Sequence, residues 1–286
     1  MTQEETYFTG KDTALAYDSY IDVSIPHYWP AFHLAARTLS KMFADKRDLR
    51  CVDLGTGTGN FLQVILEFLP VVQCLLVDHS EPMLAIASEK LRRSGCTVAT
   101  KAVSFLSDSW TKIPGFEQSE IVLASLALDH IHSDEALLSL FRKIYRFLPA
   151  GGCFVLAEKC ANGKDRESPS WKSFLRMIQI REGHMLKNGL KTPSETERWK
   201  QHILTEDYLR PLACLWTLAE KAGFLVHSAA GVPLPDHDFL DEAHYYSKSS
   251  VSPLMKTSIF SSDQAYDLGI LFCIKQKTAV PFPENA

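Results

Sequence analysis

No stretch of this 286-residue chain approaches the roughly 20 apolar residues that a bilayer-spanning helix needs. Met1 to Thr13 lack the basic end and apolar run of an export signal. Neither a membrane protein nor an exported one is expected. Lys and Arg nowhere form a stripe long enough to track a phosphate backbone, and the net charge of −4 comes from interspersed signs. Long nucleic acid is therefore not an expected partner. There is no C-x-x-C pair. The seven cysteines, Cys51, Cys74, Cys96, Cys153, Cys160, Cys214 and Cys273, are odd in number and scattered, which favours reduced core thiols in a cytoplasmic protein. Compositional bias is absent too: 46% apolar and 22% charged residues describe an ordinary globular chain, long for one plain core and short for two.

What is present is alternation. Residues 1–45 read as an N-terminal helical cap, with short helices broken at Pro26 and Pro30. Arg50 to Leu54 is a short apolar strand, and Asn60 to Phe68 a helix with Phe61, Val64, Ile65 and Phe68 on one face. Strands follow at Val71–Val77, Thr97–Phe105, Glu120–Leu126 and Cys153–Ala157, with helices at Glu81–Ser94 and Ser133–Phe147 between them. Such β-α units predict a doubly wound, mostly parallel α/β sheet covered on both faces. The core spans 46–158 and 222–278. A charged, Trp-rich helical insertion at 159–221 is a candidate lid, and an irregular insertion occupies 232–264.

The informative segment is Val52-Asp-Leu-Gly-Thr-Gly-Thr-Gly-Asn60, between the first strand and its helix. Gly55, Gly57 and Gly59 allow a tight turn and close approach of a ligand to the helix N-terminus, with Thr56 between them. Asn60 stands where a dinucleotide fingerprint would place its third glycine. Asp53 sits just before the loop. A carboxylate there repels a pyrophosphate but suits S-adenosylmethionine (SAM), which has no phosphates and carries an ammonium and a sulfonium. Asp78, in Val77-Asp-His-Ser80, ends the second strand where an acid can accept both ribose hydroxyls, or cap the helix that contains Met83. Asp108, flanked by Ser107 and Ser109, is a candidate acceptor for an adenine amino group, with Met83 and Trp110 as apolar neighbours of the ring.

These segments, followed by Ala124-Ser-Leu-Ala-Leu-Asp-His-Ile131 and Leu148-Pro-Ala-Gly-Gly152, resemble in order the class I SAM-dependent methyltransferases with their Rossmann-like sheet. The resemblance implies that Asp53 and the glycines lie along the methionine part of the cofactor, Asp78 and His79 at the ribose, Asp108 at the adenine, and Ser125 and Leu126 beside the sulfonium. It also implies a seventh, antiparallel strand at the sheet edge, which Ala265 to Lys275 would supply. Tyr17-Asp18 followed by Ile25-Pro-His-Tyr28 is similar to the cap of bacterial small-molecule methyltransferases and of carboxy-SAM synthases of tRNA modification, where Tyr17 and Tyr28 would close over the methionine carboxylate. Those synthases carry Arg-Ser before their Val-Pro-Gly-Tyr. Here Val23-Ser24 precedes Ile25-Pro26, which argues against carboxy-SAM chemistry.

Methyl transfer from SAM is an in-line displacement on a cationic leaving group, so alignment can supply most of the catalysis. His130, just past the fourth strand, is the candidate base, with Asp129 to orient it, although His132 and Asp134 nearby also suit a polar helix-capping loop. Trp171, His184 and Tyr208 are the candidate substrate contacts in the insertion. His237, Asp241 and His244 fall at i, i+4 and i+7, a spacing that can hold a metal on a helix face, but Gly231, Pro235 and Asp236 read equally as a loop, and no metal is expected. The expected activity is methyl transfer to a small molecule. The alternatives are a macromolecule-modifying enzyme of the carboxy-SAM synthase type and a SAM-binding protein without turnover; a homodimer is compatible with all three.

Overall fold

The residues of β1 (Leu49–Leu54) alternate between two apolar clusters, Leu49 and Cys51 facing one and Val52 and Leu54 the other, so this strand is covered on both sides. That alternation is the mark of a strand at the centre of an α/β sheet, where each buried Val or Leu contributes about 1.5–3 kcal/mol. The computed structural model of the chain describes residues 11–25, 27–234 and 265–276. After the cap helices α1 (Lys11–Ser24) and α2 (Tyr28–Met42) come β1, α3 (Asn60–Phe68), β2 (Val71–Asp78), α4 (Glu81–Leu91), β3 (Thr97–Ala102), β4 (Ile121–Ser125), α5 (Asp134–Phe147) and β5 (Cys153–Cys160). The insertion supplies α6 (Pro169–Lys187), α7 (Pro193–Thr205) and α8 (Leu212–Lys221), and the sheet is completed by β6 (Leu225–Pro233) and β7 (Tyr266–Ile274).

The seven strands run in the order β3-β2-β1-β4-β5-β7-β6. β1 to β5 pair in parallel, and β7 is antiparallel to both of its neighbours. The antiparallel strand therefore lies one place in from the edge, hydrogen-bonded on both sides, and β6 is outermost. Between β1 and β4 the winding reverses, which opens a crevice at the carboxyl ends of those strands.

Pro30 does not break the cap as its sequence context suggests. It lies in the first turn of α2, where its missing N–H has no intrahelical partner to lose. The cap buries Phe32, Ala35, Ala36 and Leu39 in the same cluster as Phe61 and Ile65 of α3. Phe32 stacks on Phe61 at 4.4 Å. Within the insertion, α6 and α7 share a small core of their own built on Trp171, Phe174, Met177, Trp199 and Ile203. α8 belongs instead to the main core, packing through Leu212, Leu215, Leu218 and Ala219. Lys191, between α6 and α7, sits 3.5 Å over the ring of Tyr20 and joins insertion to cap. No described helix is long and apolar enough to cross a membrane. His237, Asp241 and His244 lie outside the described residues, as does nearly all of the 232–264 insertion.

Candidate active site

Gly55, Gly57 and Gly59 all take positive φ, at 66°, 51° and 81°, as a chain turning sharply from strand into helix requires. A Cβ on Gly55 would come within 2.4 Å of the Ala127 Cβ, whereas one on Gly57 would meet nothing within 4 Å. The loop thus presses on the β4 side at Gly55 and faces open space at Gly57. Two hydrogen bonds tie it to the end of β2: Gly55 N–H donates to Val77 O at 2.8 Å, and Gly57 N–H to Asp78 Oδ2 at 2.9 Å. The other oxygen of Asp78 accepts from Ser80 N–H at 2.9 Å, while Ser80 itself caps α4 by accepting from Met83 N–H.

Asp53 is buried and accepts from the Thr56 hydroxyl at 2.6 Å through Oδ2; its Oδ1 is buried with no hydrogen bond. Burial, reinforced by the charge of Asp78 and opposed by Thr56, pushes its carboxyl up to about 6. An acid kept in this state behind a glycine loop is relieved by a cation.

A cavity opens over this loop. Gly55, Thr56, Gly57, Asp78, His79 and Met83 line one part of it; Ser125, Leu126, His130, Tyr17 and Tyr28 line another. Most of the cofactor residues picked out from the sequence are thereby brought together. Asp53 and Gly59 support the loop from behind. The exceptions are Ser107, Asp108 and Ser109, which do not line it. Asp108 turns outward to Lys143 at 2.7 Å with 73% of its side chain exposed, and Ser107 donates to the Ser109 hydroxyl at 3.0 Å. The cause is Trp110, fully buried and donating its indole N–H to Phe105 O at 2.8 Å, which swings the turn over so that Phe105 reaches the cavity. Thr58, Phe61 and Ala127 also line it and carried no separate signal in the sequence.

Leu126 has φ 51°, a strained value for a branched side chain, and its N–H donates to Ala157 O at 3.0 Å. Just beyond, buried Glu158 accepts from Ala127 N–H and Leu128 N–H at 3.1 and 2.9 Å. The Arg210 guanidinium donates to Ile131 O at 2.7 Å, and Tyr208 N–H donates to Asp129 O at 2.6 Å. Residues 126–131, His130 among them, are thus gripped from both sides.

A second cavity shares Tyr17, Leu126 and His130 with the first. Its remaining wall comes from the cap, through Tyr20, Ile21 and Ser24, and from Lys159, Arg181, Trp199 and His202. Lys159 bonds to Asp207 and lies 3.0 Å from Asp129. Burial opposes the charge of Asp129, but Lys159 and then His130 override it and hold the carboxyl down to about 2. Sequence reasoning singled out His130 and Asp129 and missed Lys159 and Asp207; the signal available was the pair Glu158-Lys159, two charges directly after the apolar run Cys153–Ala157 of β5.

The three residues assigned to substrate from the sequence stand elsewhere. Trp171 is buried against Phe174 in the core of the insertion, His184 lies in the last turn of α6, and Tyr208 stacks on His132. None lines either cavity. Asp134 pairs with Arg210 at 2.8 Å and Ser133 caps α5, so the polar-loop reading holds for these neighbours of His130.

Residues 51–152 match the family described as "Methyltransferase domain". Over that stretch, about a third of its length, the chain is similar to a methyltransferase domain. Over 148 residues it is 30% identical to the carboxy-S-adenosyl-L-methionine synthase of Campylobacter concisus, covering 51% of this chain and 58% of that protein. It is 28% identical over 157 residues to the malonyl-[acyl-carrier protein] O-methyltransferase of a Marinomonas species, covering 54% of this chain and 52% of the relative. The chain thus spans little more than half the length of these curated relatives. In three dimensions it is similar to geranyl diphosphate C-methyltransferase from Streptomyces coelicolor A3(2), with a TM-score of 0.51 at 14% identity, covering 85% of this chain and 78% of that one. This last likeness shows the shared fold of the domain. The open space at Gly57 and the Asp78 carboxylate on the cavity wall, with the unpartnered Asp53 Oδ1 buried behind the loop, fit a cationic nucleoside cofactor.

Proposed function

We propose that the chain is a SAM-dependent methyltransferase whose acceptor is a small molecule held in the second cavity. The observation that carries this reading is that the two cavities meet at Tyr17, Leu126 and His130, so that a group in one can face a group in the other across a single wall. SAM supplies, when bound, a methyl group on a positively charged sulfur. Asp53 and Asp78 offer it negative charge and hydrogen-bond acceptors, and the glycine loop gives it room. Cap helix α1 and insertion helices α6 and α7 supply the outer walls, which exclude water. Alignment of the acceptor does most of the catalysis, and His130 acts on the acceptor's proton. The protein works in the cytoplasm.

Carboxy-SAM synthesis is the second reading, favoured by the Campylobacter relative's name and opposed by Val23 where those enzymes carry arginine. Incubating the full chain with methyl-labelled SAM and a small-molecule extract separates the two. Release of S-adenosylhomocysteine with label in a small molecule is expected. Label in RNA or protein, a carboxylated SAM, or no extract-dependent release would overturn the proposal.

A further inference from the structure

His130, His202 and Asp207 bring one ligand atom each to within 4.8 Å of one another, on the wall of the second cavity. Asp207 Oδ1 lies 3.6 Å from His202 Nε2 and 3.9 Å from His130 Nδ1. Bonds of about 2.0–2.1 Å around a tetrahedral ion set ligand atoms roughly 3.3–3.5 Å apart, so small side-chain rotations close the set. Asp207 is fully buried, and this Oδ1 has no hydrogen bond, although Oδ2 of the same carboxylate is taken by Lys159. A buried carboxylate oxygen that faces two imidazole nitrogens, too far from either for a hydrogen bond, is a feature that a bound cation explains.

The outer nitrogens support the same assignment. His202 Nδ1 is 2.7 Å from Glu206 Oε2, which fixes the tautomer that leaves Nε2 turned inward. His130 Nε2 faces Asp129 Oδ1 at 3.9 Å, its Nδ1 pointing to Asp207. Each histidine therefore has a carboxylate behind it and the shared carboxylate in front. Asp129 and Asp207 both pair with Lys159, and Glu206 pairs with His202, so acidic groups stand on every side of the two histidines.

We infer that His130, His202 and Asp207 bind a divalent transition metal of the zinc or iron(II) class, with open positions facing the second cavity for an oxygen-donor acceptor. The inference rests on the reading of that cavity as the acceptor site. Bound through Nδ1, His130 would act on the acceptor through the ion rather than as a free base.

The test is titration of the chelator-treated full chain with Co(II), followed by its visible d–d absorption, then competition with Zn(II). S-adenosylhomocysteine calorimetry on the same samples reports folding and the cofactor reading separately. One Co(II) per chain, displaced by Zn(II), is expected. Glu206→Gln, which leaves the three ligands in place, should weaken it about 10- to 100-fold, and His202→Gln by more, both still binding S-adenosylhomocysteine. A chain that binds S-adenosylhomocysteine but takes up neither metal at stoichiometric concentration overturns the site, as does metal binding that both variants leave unchanged. Metal binding by a chain that ignores S-adenosylhomocysteine would sink the cofactor reading alone.

Discussion

Asp18 of cap helix α1 accepts a hydrogen bond of 2.6 Å from the Thr58 hydroxyl in the glycine loop. The same oxygen accepts from Asn60 at 3.0 Å, and its partner from Lys90 of α4 at 2.7 Å. Burial opposes the charge of Asp18, and Lys90, Thr58 and Asn60 outweigh it and hold the carboxyl below its ordinary value. A residue from the cap thus reads the conformation of the loop that forms the cofactor cavity.

Asp18→Ala should therefore loosen the cap more than it unfolds the domain. Because the side chain is 41% exposed, its ion pair with Lys90 is discounted, and about 1 kcal/mol of coupling is expected. Calorimetry should show S-adenosylhomocysteine affinity reduced roughly fivefold, and limited proteolysis faster cleavage within residues 11–42. Unchanged cleavage and affinity would mean that the cap is held by its apolar face alone.

The glycines of the loop are not equivalent. Gly57→Ala meets open space and should cost only the strain of a left-handed alanine, about 1 kcal/mol. Gly55→Ala adds a clash with Ala127 at 2.4 Å and should be destabilising by more than 2 kcal/mol, moving the β4 end that carries Leu126. Denaturant unfolding of both variants checks the order. Equal losses would show that the loop yields freely at Gly55.

Asp53 gives the stability of the ligand-free chain a pH dependence. Its folded value near 6 lies above an ordinary value of about 3.9, so its contribution is fully present below about pH 4 and is lost as pH rises through about 6. The shift corresponds to an order of 2–3 kcal/mol. A cationic ligand beside the carboxylate lowers its value again, so binding should release protons near pH 5.5 and weaken as pH falls below 6. Calorimetry in buffers of different ionisation enthalpy measures this, and Asp53→Asn should abolish it. Proton release unchanged in that variant would place its source elsewhere.

His130→Ala should reduce turnover about 10²-fold while leaving S-adenosylhomocysteine affinity within about twofold, since His130 lies on the wall shared with the acceptor cavity. Steady-state rates with the identified acceptor decide this. Full turnover would leave catalysis to alignment.

The core was legible in the sequence because its strands are short apolar runs punctuated by glycine and acid, and these local signals agree with the sheet. Asn60–Phe68 falls where periodicity places it. The Asp53 to Gly59 loop and Asp78 were legible for the same reason, since each sits at a strand end whose chemistry is local. Asp108 misled because its direction is set by Trp110, whose burial against Phe147 depends on α5. The meeting of Lys159, His202 and Asp207 was not legible because they converge from β5, α7 and the segment after α7, and nothing in their separate neighbourhoods announces it. Trp171 drew attention as an aromatic suited to a pocket, yet the insertion needed it for a core of its own.

The proposed function requires the loop from Asp53 to Gly59, with Asp78, to bind a cationic nucleoside rather than a dinucleotide. Titrating the full chain with S-adenosylhomocysteine, SAM and NAD by calorimetry tests it most directly, with Asp78→Ala as the comparison. One site for the first two is expected, with no heat from NAD and a loss of roughly 1.5–3 kcal/mol in the folded variant. Tight NAD binding with no response to SAM or S-adenosylhomocysteine would contradict it.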